Sequence, residues 1–228
     1  MTHHVEPEAP FLEYLKTVDT PTLSNAIELL NVRKRNEGFA PLQLRCLFPE
    51  LGRMCGHAVT AQVETVTQAN PDDRSMWLRL YEAIAEAPKP SVVVFQELGG
   101  QPDFAAHAGE IMCSVFARLG AIGLVSDCAV RDIPEVRALG FHYFARGAAA
   151  SHAYIQIVRL QVPVQALGLP ILPGDLVHGD ENGLLVVPRE GRDRLPPAVD
   201  AVRKKEGDLL ELVRGPSFSL DDLRKFFG

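Results

Sequence analysis

The chain has 228 residues, 46% hydrophobic and 23% charged, proportions that suit a single globular domain and exclude a disordered or fibrous chain. Its 23 Lys and Arg against 29 Asp and Glu leave a net charge of -6, which repels a phosphate backbone and disfavours nucleic acid as a partner. No run approaches the roughly 18 apolar residues of a membrane span. Residues 1–7 carry no basic end leading into an apolar segment, and the four cysteines form no Cys-x-x-Cys pair. The expectation is a cytoplasmic protein with reduced thiols and no zinc cluster.

In chain order, Thr20-Pro21 reads as a helix start, with Leu23, Ala26, Ile27 and Leu30 at helical spacing behind it. Pro41 to Gly56 is loop-like, and His57 to Val63 then alternates as a strand does. A second helix is expected from Asp72 to Ala87, stopped by Pro88-Lys89-Pro90 ahead of a buried strand, Val92 to Phe95. Between Ala105 and Leu119 the residues Ile111, Met112, Val115, Phe116 and Leu119 share one helical face, with Gly120 as the stop. Strand Ala121 to Val125 follows, then a turn, then a short helix from Ile133 to Leu139. This rhythm implies crossovers and a largely parallel sheet.

Beyond it the rhythm changes. Pro163-Val164, Leu176 to His178 and Leu184 to Val187 are short strands separated by the turns Pro173-Gly174-Asp175 and Gly179 to Gly183, a pattern for an antiparallel or barrel-like portion. A charged helix from about Pro197 to Leu212 and a polar tail close the chain. No repeat or long linker divides it, so one domain over residues 1–228 is expected, with an N-terminal helix and a C-terminal helical extension.

Ser126-Asp127-Cys128-Ala129-Val130-Arg131-Asp132 places two carboxylates and a guanidinium at the carboxyl end of a parallel strand, where open α/β sheets hold ligands. On local physics alone Asp132 is equally a cap for the next helix, with Asp127 and Arg131 a solvated pair. Gly109-Glu110-Ile111-Met112 enters a helix, so its amides can face an anion; equally, it is a glycine turn with an acid offsetting the macrodipole. His107, three residues before Glu110, has ligand spacing, but Gly109 interrupts a continuous helix between them.

Gly109-Glu110-Ile111-Met112, Gly120 to Asp132 and Pro173 to Pro188, taken in order and spacing, resemble the RraA-like family. That family contains 4-hydroxy-4-methyl-2-oxoglutarate and 4-carboxy-4-hydroxy-2-oxoadipate aldolases, and regulators of ribonuclease E activity. The first helix and Gly56 to Thr60 also fit. The resemblance implies an α/β fold of the swivelling β/β/α type with a mixed, partly barrel-like sheet, assembled as a homotrimer or a hexamer of two trimers. By position it implies that Arg131 binds substrate and acts in catalysis, that Asp132 is the protein ligand of a divalent metal, and that Gly109, Glu110, Ile111 and Met112 hold the keto-acid carboxylate. Glu110 takes the acidic catalytic position of that loop, and Glu206 matches a glutamate supplied by a neighbouring subunit. Cys128 departs from the family's usual glycine before Ala-Val-Arg-Asp.

The implied activity is cleavage of 4-hydroxy-2-oxo acids to pyruvate and a second oxo acid, with oxaloacetate decarboxylation as a side activity because both pass through the same enolate. A lysine Schiff base needs an amine in an apolar pocket, and the lysines at 16, 34, 89, 204, 205 and 225 sit in polar or terminal contexts or between prolines. The metal route is therefore expected, with Mg2+ or Mn2+ suiting a hydrated carboxylate site. The alternative is a non-catalytic regulator that binds ribonuclease E or a helicase.

Overall fold

The computed structural model describes residues 8–68 and 74–227. The sequence readings at residues 1–7 and at Asp72 fall outside that range. The chain divides into two compact units, one formed by Met1–Thr20 with Asn36–Val187 and the other by Pro21–Arg35 with Pro188–Gly228.

The first unit is organised around four parallel strands, β2 (Met54–Glu64), β3 (Ser91–Glu97), β4 (Ala121–Ser126) and β5 (His142–Ala145). The two-residue β1 (Arg45–Cys46) runs antiparallel along β5. On its other edge the long β2 carries two antiparallel partners, β9 (Leu176–Asp180) at its start and β6 (Gln156–Leu160) at its end. β10 (Gly183–Val187) extends β9, and β7 (Val164–Ala166) and β8 (Leu169–Ile171) form a separate hairpin. The parallel portion and the antiparallel, barrel-like portion thus fall where the sequence rhythm changes.

Strand periodicity sorts the core into two layers. Val59, Ala61 and Val63 of β2, with Val93 and Phe95 of β3, face one side, where they meet three helices. These are α3 (Ser75–Glu86) through Leu80 and Ile84, α4 (Glu110–Arg118) through Cys113 and Phe116, and α5 (Ile133–Ala138) through Val136. The alternate residues Met54, Ala58, Val92 and Val94 face the other side and pack with Val164, Ile171 and Val177 of the antiparallel strands. Each layer follows from the two-residue repeat of a strand.

Several boundaries differ from the sequence reading. An additional helix, α1 (Glu8–Leu15), precedes the expected first one and buries Phe11, Leu12 and Leu15. The His178 Nε2–H donates to the Leu15 carbonyl at 3.1 Å, leaving Nδ1 to accept the Thr20 hydroxyl at 3.1 Å. α4 begins at Glu110 instead of Ala105, because residues 105–108 lie beside residues 128–131: His107 N donates to the Ala129 carbonyl and Arg131 N to that of Ala108.

In the second unit, α2 (Thr20–Leu30) buries Leu23, Ala26 and Ile27, and α6 (Leu195–Arg214) buries Leu195, Val199 and Val202. The expected polar tail instead forms α7 (Leu220–Phe227). Ser219 and Asp222 cap it reciprocally: Ser219 N donates to Asp222 Oδ2 at 2.9 Å and Asp222 N to Ser219 Oγ at 3.4 Å. Among the described residues no helix is long and apolar enough to cross a membrane.

Candidate functional site

β3 and β4 run parallel with Phe95 opposite Ser126, so Glu97 and the Ser126–Asp132 turn emerge at the same end of the sheet. The segment leading to Gly109 is held there by a parallel bridge between Ala106 and Ala129, and Val130 bridges Ala148 on the far side. This local ladder delivers Gly109, Arg131 and Asp132 to one place.

Asp132 adopts a left-handed backbone (φ 55°) at the start of α5, yet its side chain makes no capping bond to that helix. Its Oδ2 instead accepts the Glu110 amide at 2.9 Å and lies 3.6 Å from Arg131 Nε. Both side chains are more than a third exposed, so the ion pair itself contributes little to stability. Gly109 explains how tightly the three fit: a Cβ there would lie 2.2 Å from Asp132 Oδ2 and 2.9 Å from Arg131 Nε. Its φ of −139° is open to any residue, so close approach, not backbone conformation, calls for glycine.

Of the first-turn amides of α4, that of Glu110 is therefore engaged by Asp132, while those of Ile111 and Met112 lie at helix positions that lack an intrahelical acceptor. The Glu110 side chain stands exposed. Gly109, Ile111, Met112 and Arg131 line a cavity of about 790 Å³. It is also lined by Arg74, Trp77, Leu78 and Tyr81 at the start of α3 and by residues 152–156.

His107 also lines the cavity and belongs to a buried polar cluster whose members the sequence did not bring together. Glu97 accepts His107 Nε2–H at 2.9 Å, the Gly99 amide at 2.6 Å and the Thr65 hydroxyl at 3.2 Å. Burial opposes charge on Glu97, but these bonds hold its carboxyl below the usual range; burial likewise lowers the His107 imidazole. An ionised Glu97 facing a neutral His107 fixes the remaining protons. Ser126 Oγ–H donates to His107 Nδ1 at 2.9 Å and receives the Cys128 amide at 3.1 Å.

Asp127 is also buried, its Oδ1 accepting the Glu97 amide at 2.7 Å, and burial pushes its carboxyl up to about 7. It is not part of a solvated pair with Arg131. Cys128, at the family's usual glycine position, does not require positive φ; its Sγ–H donates to the Ala105 carbonyl at 2.9 Å.

Glu97, His107 and Cys128 bring ligand atoms within 4.8 Å of one another and form a candidate metal-ligating group. His107 thus meets Glu97, not the Glu110 that its spacing suggested. The nitrogen and thiol donors are those zinc accepts, and the thiol is pushed by burial up to about 11. Asp132 offers the hard, partly exposed oxygen that suits Mg2+ or Mn2+: Oδ2 is engaged, and Oδ1 takes no hydrogen bond among the described residues.

Glu206 belongs to the second unit, exposed on α6, where it accepts Asn25 Nδ2–H at 3.1 Å. Of the lysines, Lys89 does not line the cavity and donates to the Ile84 carbonyl.

A family model, RraA-like: Aldolase/RraA, matches residues 20–186. The chain belongs to the RraA-like family. A relative from Halalkalibacterium halodurans named "Putative 4-hydroxy-4-methyl-2-oxoglutarate aldolase" is 30% identical over 204 residues, covering 89% of this chain and 87% of its own. The 4-hydroxy-4-methyl-2-oxoglutarate aldolase of Thermus thermophilus is 29% identical over 110 residues, covering 48% and 66% respectively. Streptomyces coelicolor RraAS2, described as an unusual member of the RNase ES inhibitor RraA protein family, superposes with a TM-score of 0.71 at 25% identity, over 90% of this chain and all of that one. The RraA-like swivelling architecture, with its mixed and nearly closed sheet, is therefore the fold of this chain.

Proposed function

We propose that this RraA-like protein is a divalent-metal-dependent aldolase that cleaves 4-hydroxy-2-oxo acids, of the 4-hydroxy-4-methyl-2-oxoglutarate type, to pyruvate and a second oxo acid. The observation that carries this reading is the convergence of Gly109, Arg131 and Asp132, with Arg131 lining a cavity large enough for a small acid. Breaking the C3–C4 bond leaves negative charge on the C2 oxygen, and the fixed positive charge of Arg131 stabilises that charge as it develops. The Ile111 and Met112 amides offer donors for the substrate carboxylate. Asp132, with water, would hold Mg2+ or Mn2+, which supplies Lewis acidity toward the 2-oxo group when bound.

Oxaloacetate decarboxylation generates the same charge and is the expected side activity. Glu110 and Glu206 are proposed catalytic groups, Glu206 coming from a neighbouring subunit of a homotrimer or hexamer. The names of the aldolase relatives support the aldolase reading. Pyruvate release from a panel of 4-hydroxy-2-oxo acids, with and without Mg2+, tests the proposal. Asp132→Ala should abolish metal-dependent turnover, and Arg131→Lys should lower kcat about 10²-fold, the scale of losing one transition-state donor. Full activity of Asp132→Ala in excess chelator overturns the metal mechanism. A folded wild type that releases pyruvate from none of the panel leaves the ribonuclease-regulator reading in its place.

A further inference from the structure

Cleavage of a 4-hydroxy-2-oxo acid requires a group that takes the C4 hydroxyl proton, and that group must present a free lone pair to the cavity that Arg131 lines. No carboxylate is among the residues lining it; their charged and titratable side chains are those of Arg74, Tyr81, His107, Arg131, His152 and Tyr154. A guanidinium has no lone pair to offer, and a phenol ordinarily keeps its own proton near neutral pH. His107 has both ring nitrogens committed, to Glu97 and to Ser126. His152 is left.

The local fold prepares this imidazole. His152 Nδ1–H donates to the Ala153 carbonyl at 2.8 Å, which makes Nε2 the unprotonated nitrogen of the neutral ring. Nε2 makes no hydrogen bond among the described residues, and the side chain is exposed. The turn that carries it is tied down. Ala153 N donates to Ser151 Oγ at 3.0 Å, and Ala153 holds a φ of 44°, a left-handed backbone that a non-glycine residue adopts only at a cost.

The same turn is laced to the segments that carry Gly109 and Arg131. The Ser151 carbonyl accepts the Ala106 amide at 2.7 Å, Val130 N donates to the Gly147 carbonyl at 3.0 Å, and Ala149 N donates to the Val130 carbonyl at 3.0 Å. His152 therefore follows directly on a stretch fixed to both.

We propose that His152 is a catalytic base whose Nε2 takes the C4 hydroxyl proton of the substrate. This rests on the aldolase reading and supplies the base that it requires. The O–H electron pair becomes the second bond of the new C4 carbonyl, and the C3–C4 pair passes to C3 and spreads onto the C2 oxygen. C3 then takes a proton from water to give pyruvate, and the imidazolium returns its proton to solvent. Oxaloacetate reaches the same enolate by losing carbon dioxide from an ionised carboxylate, so that reaction has no proton for His152 to remove.

Kinetics of His152→Gln on 4-hydroxy-4-methyl-2-oxoglutarate and on oxaloacetate, with Mg2+ present, test the proposal. The kcat for cleavage should fall about 10²-fold or more, the scale of general-base catalysis, while oxaloacetate consumption is kept. In His152→Ala, added imidazole should restore cleavage. Both substitutions fall at an exposed position outside the core. Cleavage at the wild-type rate in His152→Gln gives the base to water and overturns the proposal. An equal fall in both activities, or no rescue of His152→Ala by imidazole, makes His152 a binding or positioning residue and overturns it as well. These outcomes leave the aldolase standing, whereas a wild type that cleaves no 4-hydroxy-2-oxo acid defeats the aldolase reading and the role of His152 together.

Discussion

Gly109→Ala isolates the geometry of the site from the stability of the fold. Alanine accepts the extended backbone of Gly109, so the strand-like segment and the start of α4 have no conformational reason to change. The new Cβ would, however, stand 2.2 Å from Asp132 Oδ2 and 3.0 Å from Arg131 Cγ, and ordinary contact requires the carboxylate to retreat by about 1 Å. That retreat breaks the 2.9 Å bond from the Glu110 amide. The bond is partly exposed, and its loss should cost about 1–2 kcal/mol, or a melting temperature lower by roughly 2–8 °C. Turnover should suffer far more, since a displacement of ~1 Å at reacting groups can cost about 10²-fold. Calorimetry on wild type and variant, set beside pyruvate release and Mg2+ titration, measures both. A variant with wild-type turnover and metal affinity would refute the claim that Gly109 clears space for the Asp132 carboxylate.

Thiol labelling and acid titration supply two further tests. Cys55, Cys113 and Cys128 are buried, with burial pushing Cys113 up to about 12 and Cys128 up to about 11, whereas Cys46 is half-buried. A disulfide reagent at pH ~8 should therefore modify Cys46 first in the folded protein and all four thiols only in denaturant; rapid native labelling of Cys113 would contradict the packing. Burial also holds the His178 imidazole below its ordinary value of 6.5, so the unfolded chain takes a proton that the folded chain refuses. Stability from this group is present above that value and is lost as pH falls through it. Melting temperature should fall between pH ~8 and ~5 less steeply in His178→Gln than in wild type, and equal slopes would remove His178 as the cause.

The sequence made the strands legible because their signal is local. β3 and β4 are short apolar runs bounded by prolines and glycines, and β9 and β10 flank a turn rich in glycine and aspartate. The Arg131–Asp132 turn was legible for the same reason, being one contiguous stretch at a strand end. Glu97 was not, because its meeting with His107 depends on the parallel register of β3 and β4 and on a bridge between Ala106 and Ala129. The periodicity around Ile111 pointed to a buried helical face, but Ile111 is exposed on the cavity, and residues 105–108 form ladder bonds that delay the start of the helix. α7 left a readable trace, Ser219-x-x-Asp222, too short to outweigh the polar composition around it.

The cavity is assembled from parts of the chain that leave the sheet on different strands. Gly109, Arg131 and Asp132 are suspended from the ends of β3 and β4. The lining residues of α3 and of 152–156 attach at the end of β2 instead: α3 follows that strand, Tyr154 N donates to the Thr65 carbonyl, and Gln156 pairs with Glu64. A substitution at Trp77 or Leu78, or a change in length around residue 153, alters the shape of the chamber without passing through the strands that carry the charged groups. The architecture thus allows the shape of the chamber to vary while the strand ends that carry Gly109, Arg131 and Asp132 are kept.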